Sequence, residues 1–175
     1  RHAFVPERHR SRAYDDRPLP IGHDQTISAP HMVAIMTDLL DVGPGDRVFE
    51  VGTGCGYHAA VVTEIVGPGN VHSVEYVPEL ADAARDRLSR LGYDVTVRAG
   101  DGRTAFPDAA PFDAAYLTCA PPDGVPDQIV DRVRTGGRVV APIGRAGAQR
   151  LIRLTVGEET VEREDHGGVR FVPMR

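Results

Sequence analysis

The sequence predicts an α/β fold, a doubly wound and mostly parallel sheet that ends in antiparallel strands. Two observations predict it. Apolar runs short enough for strands alternate with segments of helical periodicity from residue 47 to residue 143. Beyond Gly147 the helical segments stop, and strand-like runs follow one another across tight turns. A third observation locates the ligand. The run Val48–Tyr57, V-F-E-V-G-T-G-C-G-Y, passes from a buried-type strand through Gly52, Gly54 and Gly56 into a helix. Such a turn lets a ligand approach backbone N–H groups closely. The spacing is G-x-G-x-G, with Tyr57 where a dinucleotide fingerprint has its third glycine.

The bounds agree with one globular domain. The chain has 175 residues, 41% hydrophobic and 26% charged. A net charge of −5, with arginine the only strong base, argues against general nucleic-acid binding. No apolar run reaches membrane-spanning length and no signal peptide is evident. Cys55 and Cys119 form neither a disulfide framework nor a metal site, so no metal is expected. A cytoplasmic monomer is the expectation. The chain starts at Arg1 without methionine, so upstream residues are expected to be missing.

In chain order, residues 1–25 are rich in Arg, Pro, Asp and His and lack periodicity. They read as an irregular arm, taken to residue 27, with residues 28–175 as the main domain. Ser28 is placed as cap and Pro30 in the first turn of a helix with Met32, Ile35, Met36, Leu39 and Leu40 on one face. Gly43-Pro44-Gly45 stops it, and strand one runs from Arg47 to Val51. A helix covers Tyr57–Val66, strand two Val71–Tyr76, and a helix from Pro78 ends at Gly92. Val95–Ala99 is strand three and Phe112–Thr118 strand four. A short helix spans Pro126–Arg134, closed by Gly136-Gly137, and Arg138–Ile143 is strand five. Leu151–Val156 and Thr160–Arg163 form a hairpin about Gly157, and Val169–Val172 a last strand.

Ligands of open α/β sheets lie beyond the carboxyl ends of the strands. Glu75 ends strand two, where its carboxylate can accept two hydrogen bonds from a ribose diol. Asp101 ends strand three within Gly100-Asp101-Gly102. The cysteines read as small buried residues.

An acid, Glu50, before G-x-G-x-G resembles motif I of the class I S-adenosylmethionine (AdoMet) methyltransferases. P-L-P-I-G, Q-T-I-S-A-P-H-M (Gln25–Met32), E-V-G-T-G-C-G-Y, G-D-G, Ala120-Pro121, G-G-R-V-V-A-P-I-G and F-V-P stand in order along the chain. This series resembles the protein-L-isoaspartate O-methyltransferase family over nearly the whole length. Departures from the family pattern are Asp24 for a common glycine, Cys55 for a common serine, an approximate match at Tyr116–Ala120, and no helical segment before F-V-P.

The resemblance implies methyl transfer from AdoMet, leaving S-adenosyl-L-homocysteine, to the α-carboxylate of L-isoaspartyl residues in damaged proteins and peptides. It implies a cofactor site of Gln25, His31, Glu50, Gly52, Thr53, Gly54, Gly56, Tyr57, Glu75, Tyr76, Asp101 and Gly102. Ser28 and Thr26 are implied to hold the acceptor. Isoaspartyl proteins are the expected partners, without nucleic acid or membrane. A methyltransferase of a small molecule or RNA, and a non-catalytic binding module on the same fold, are the alternatives.

Overall fold

The computed structural model describes residues 1–175. Seven strands form one sheet in the order β5-β4-β3-β6-β7-β8-β9, and β1-β2 form a separate hairpin. The ranges are β1 Leu19–Gly22, β2 Gln25–Ile27, β3 Val48–Val51, β4 Val71–Glu75, β5 Val95–Ala99, β6 Phe112–Leu117, β7 Val133–Ile143, β8 Gln149–Val156 and β9 Val161–Val169. The helices are α1 Pro30–Leu40, α2 Tyr57–Val66, α3 Pro78–Arg90 and α4 Asp127–Val130.

β3 lies between β4 and β6, parallel to both. β5 extends the parallel sheet on one side and β7 on the other. β8 and β9 then run antiparallel. The doubly wound fold with an antiparallel C-terminal end is therefore as expected. The chain leaves β3 in one direction and returns at β6 on its other side. Beyond the carboxyl ends of these strands a crevice opens.

Alternation along β3 builds two cores. Val48 joins Met36, Leu40, Ala59, Val62 and Tyr116 on the α1/α2 face. Phe49 and Val51 join Phe106, Phe112, Ile129 and Val139 on the other. Both faces are covered, which is why the parallel strands read as continuous apolar runs rather than alternating ones.

Four expectations need correction. The N-terminal arm is not irregular. It holds a 3₁₀ turn, Glu7–Arg12, and the β1-β2 hairpin. Its Phe4, Val5, Ala13, Leu19 and Ile27 are buried in a third core cluster with Cys55, Ala60 and Leu88. The hairpin loop is His23-Asp24, both with positive φ (51° and 58°), the conformation of a type I′ turn. A glycine suits that place, and Asp tolerates it, so the departure at Asp24 leaves the hairpin intact.

Secondly, Ser28 does not cap α1. The N-cap is Ala29 and no side chain of the cap residue bonds the helix. Asp16 from the arm accepts the His31 N–H at 3.0 Å instead, so the anionic partner of this terminus comes from afar in the chain. Thirdly, the helix expected over Pro126–Arg134 is the single turn α4, and β7 starts already at Val133. Gly137 sits inside β7, where a Cβ would meet the Val133 side chain at 2.5 Å and the Asp113 carbonyl at 2.6 Å. The pair Gly136-Gly137 is thus a strand irregularity rather than a helix stop. Fourthly, β9 continues to Val169, and no separate strand covers 169–172. Pro173 makes an isolated bridge with Ala120.

Candidate active site

The glycine turn sits where β3 ends and α2 begins, so its backbone N–H groups face the crevice. Gly54 adopts φ 55°, and a Cβ there would stand 3.3 Å from Ile21 Cδ1 of the hairpin. Gly52 (φ 100°) is tighter: a Cβ would meet Thr118 Oγ1 at 2.3 Å. The Thr118 hydroxyl donates to the Gly52 carbonyl at 2.5 Å, tying the turn to the end of β6. Arg87 of α3 donates to the Cys55 carbonyl at 3.0 Å and holds the other side.

Glu75 at the end of β4 is almost fully buried. One carboxylate oxygen accepts the Gly54 N–H at 2.8 Å, the other the Val77 N–H at 3.0 Å. Each oxygen keeps a second lone pair. The carboxylate is thereby fixed against the turn with acceptor capacity to spare, as a ribose diol requires.

Glu50 points to the α1/α2 face and is wholly buried. Thr53 donates to Ser73 (2.5 Å), and Ser73 donates to one Glu50 oxygen. The other oxygen, Oε1, has no partner, and neither has the buried Tyr116 hydroxyl. Desolvation raises the Glu50 pKa to about 8, and the charge of Glu75 pushes the same way. The group is therefore mostly protonated at neutral pH. His58 on α2 stacks against Tyr116 at 4.3 Å and bonds Thr37 of α1 at 3.0 Å. Burial lowers its pKa to about 3, so it is a neutral imidazole. Burial also raises the thiols of Cys55 and Cys119 to about 11 and about 12. Neither is a nucleophile at neutral pH.

Gly52, Gly54, Thr118, Glu75, Glu50, His58 and the two cysteines line one cleft of about 850 Å³, counting its open mouth. Of the residues named from sequence, the cleft collects Gln25, Thr26, Ser28, Glu50, Gly52, Thr53, Gly54, Tyr57, Glu75, Tyr76 and Gly102. Three lie outside its lining. Gly56 packs beside Leu88 as the N-cap of α2. Asp101 lies between Gly100 and Gly102, which do line the cleft, and its carboxylate bonds Arg103. His31 is exposed and its Nδ1 pairs with Asp16 at 2.8 Å, so it is turned away from the cavity. The contact holds the arm to α1 and lowers the Asp16 pKa, first through the backbone hydrogen bond.

Sequence reasoning missed His58, Thr118 and the segment Val172–Arg175, all of which line the cleft. Thr118 was findable, because it ends the strand beside β3 at the switch point. His58 carries no signal beyond its place after the glycine turn. The tail is set by backbone pairing: Ala120 N–H donates to the Val172 carbonyl (2.8 Å) and Met174 N–H to the Ala120 carbonyl (2.9 Å).

The cleft fits AdoMet. A glycine cradle has no room for side chains, a pinned carboxylate stands at the end of β4, and Glu50, whose Oε1 has no partner, lies in the wall. Sheet order and cleft together define a class I AdoMet-dependent methyltransferase fold. The sequence profile described as protein-L-isoaspartate(D-aspartate) O-methyltransferase matches residues 1–175. The chain belongs to that family. It is 53% identical over 178 residues to protein-L-isoaspartate O-methyltransferase 2 of Archaeoglobus fulgidus, covering 100% of this chain and 80% of that protein. It is 51% identical to the protein-L-isoaspartate O-methyltransferase of Methanocella arvoryzae, covering 99% and 93%. A solved protein-L-isoaspartate O-methyltransferase superposes with a TM-score of 0.87 at 28% identity. The match covers 99% of this chain but 57% of that longer one. A Plasmodium falciparum structure, described as a complex with S-adenosyl-L-homocysteine, shares the fold with a TM-score of 0.80 at 23% identity.

Proposed function

We infer that this protein is a repair enzyme that methylates the α-carboxylate of L-isoaspartyl residues in damaged proteins and peptides, with AdoMet as donor. One observation carries the reading. The strand bearing Q-T-I-S closes over the glycine turn, so Thr26 and Ser28 share a cleft with Gly54 and Glu75. An acceptor at the hydroxyls is then next to a cofactor at the turn.

When bound, AdoMet supplies an electrophilic methyl group on a sulfonium. Glu75 is assigned to the ribose hydroxyls, and Gly52, Thr53 and Gly54 to the cofactor's amino-acid end. Asp101 and Gly102 are assigned to the adenine. Tyr57, Tyr76 and Gln25 flank the cleft. The acceptor carboxylate, with pKa near 4, is ionised at neutral pH, so no general base is needed. Its burial needs replacement hydrogen bonds. Ser28 and Thr26 donate them without transferring a proton. Ser28 is free for this role because α1 is capped through Asp16 instead. Hairpin and tail flank the site and exclude water, and positioning alone can contribute several kcal/mol.

Both cysteines are free, which suits a reducing, cytoplasmic compartment. No helix is long and apolar enough to cross a membrane.

The test is transfer of labelled methyl from AdoMet to an isoaspartyl peptide, followed by mild alkali. A carboxyl methyl ester releases its label as methanol. A label that resists alkali would point to a nitrogen or carbon acceptor, and so to another kind of methyltransferase.

A further inference from the structure

The loop after β5 carries Asp101 and Gly102 and forms a single helical turn. Thr104 and Ala105 N–H groups both donate to the Asp101 carbonyl, at 3.1 and 3.0 Å. A single turn leaves its later carbonyls without partners. One side chain from another part of the fold takes them. Arg132, between α4 and β7, donates to the Gly102 carbonyl at 3.1 Å, the Ala105 carbonyl at 2.5 Å and the Arg103 carbonyl at 2.6 Å. Its own backbone is fixed, since its carbonyl accepts the Phe112 N–H at 2.7 Å beside the first pair of β6 and β7. The guanidinium also stands 6.0 Å from the centre of the Phe49 ring.

We propose that Arg132 is the positioning residue of the base-recognition loop: by holding these three carbonyls it fixes Asp101, and so sets the adenine selectivity of the cofactor site. The inference rests on the reading of the cleft as an AdoMet site with Asp101 accepting from the adenine amino group. The chemistry suits the residue. A planar guanidinium offers several donors at fixed angles, whereas an ammonium is a point donor that satisfies fewer carbonyls at once. The loop has little freedom on its other side, where Gly102 presses on β3 and a Cβ would meet Val51 Cγ1 at 2.7 Å. Arg103 holds the Asp101 carboxylate directly through its N–H and its guanidinium, and Arg132 holds the Arg103 carbonyl, so the backbone that places Asp101 is controlled from the Arg132 side.

The test is calorimetric titration of the whole protein with S-adenosylhomocysteine and with S-inosylhomocysteine, which has a carbonyl in place of the adenine amino group. The wild type should prefer the adenosyl ligand about tenfold, the scale of one hydrogen bond to a buried acceptor. Arg132→Gln should bring the ratio to about twofold or less, and Arg132→Lys should fall between. In an Asp101→Ala background, Arg132→Gln should leave the ratio where Asp101→Ala put it. An Arg132→Gln variant that weakens both ligands equally, or neither, overturns the proposal. If that variant does not fold, the ratio in Arg132→Lys decides: an unchanged preference overturns it. No binding of S-adenosylhomocysteine by the wild type would sink the cofactor reading itself. Equal binding of both ligands by the wild type would remove the role of Asp101 and that of Arg132 with it.

Discussion

At the scale of single residues, Ser28 separates two physical roles that one amino acid can play. A serine before a Pro-initiated helix is a natural cap. Here the cap is Ala29 and the anionic partner is Asp16. Ser28→Ala is therefore expected to lower kcat by roughly tenfold to a thousandfold, the scale of losing one positioned donor. S-adenosylhomocysteine affinity and melting temperature should stay close to wild type. A lowered melting temperature with normal turnover would return Ser28 to a structural role. Glu75→Ala acts on the other half of the site. It should weaken S-adenosylhomocysteine by roughly 1–3 kcal/mol, the cost of unpairing buried polar groups. Unchanged affinity would remove the ribose assignment. That both line the cleft was legible in sequence, Glu75 because it ends a strand beside the glycine turn and Ser28 because it stands in Q-T-I-S-A-P-H-M. His31 was misplaced, although it lies one helical turn from Ser28. Its partner Asp16 is 15 positions upstream, and only the folded arm brings them together.

At the scale of elements, the proposed seat of the cofactor is the glycine turn between β3 and α2, with the hairpin packed on it. Gly54→Val should abolish S-adenosylhomocysteine binding. A β-branched residue is strained at φ 55°, and its Cβ would crowd Ile21 on the hairpin. Circular dichroism would show whether the sheet persists. A folded variant that binds normally would mean that the turn is not the cofactor loop. The parallel strands and their helices were legible because apolar runs and helical periodicity repeat along the chain. The β1-β2 hairpin was not. Its strands are four and three residues long, too short for a period of two to show. Its turn uses His23 and Asp24 rather than the glycine that marks such turns. The same limit blurred the end of α4, a single turn that the sequence expectation carried on to Arg134, into what is the start of β7.

For the molecule as a whole, two buried titrating groups shape stability against pH. Glu50 has a folded pKa of about 8 against an ordinary 4.5. Its contribution is fully present below about pH 4.5 and is lost as pH rises toward 8. His58 has a folded pKa of about 3 against 6.5. Its contribution is present above about pH 6.5 and is lost as pH falls toward 3. Glu50 should therefore lower stability as pH rises from about 4.5 to about 8, and His58 should lower it as pH falls from about 6.5 to about 3. Glu50→Gln removes the decline between about pH 4.5 and 8. It should raise the melting temperature at pH 8, by an amount worth on the order of a few kcal/mol, while weakening the cofactor site. Thermal melts of both proteins from pH 5 to 9 check this. Parallel curves would mean that Glu50 is ionised in the native state.

The whole molecule also sets what it selects. An isoaspartyl linkage runs through the side chain, so the free carboxylate is the α-carboxylate, displaced by one methylene from that of a normal aspartate. A site that works by positioning should reject the normal isomer, since a displacement of about 1 Å can cost about a hundredfold in rate. The most direct measurement is kcat/KM for methyl transfer from AdoMet to two peptides of one sequence, one isoaspartyl and one aspartyl. A ratio of at least about a hundred in favour of the isoaspartyl peptide is predicted, and comparable values for the two would contradict the repair function.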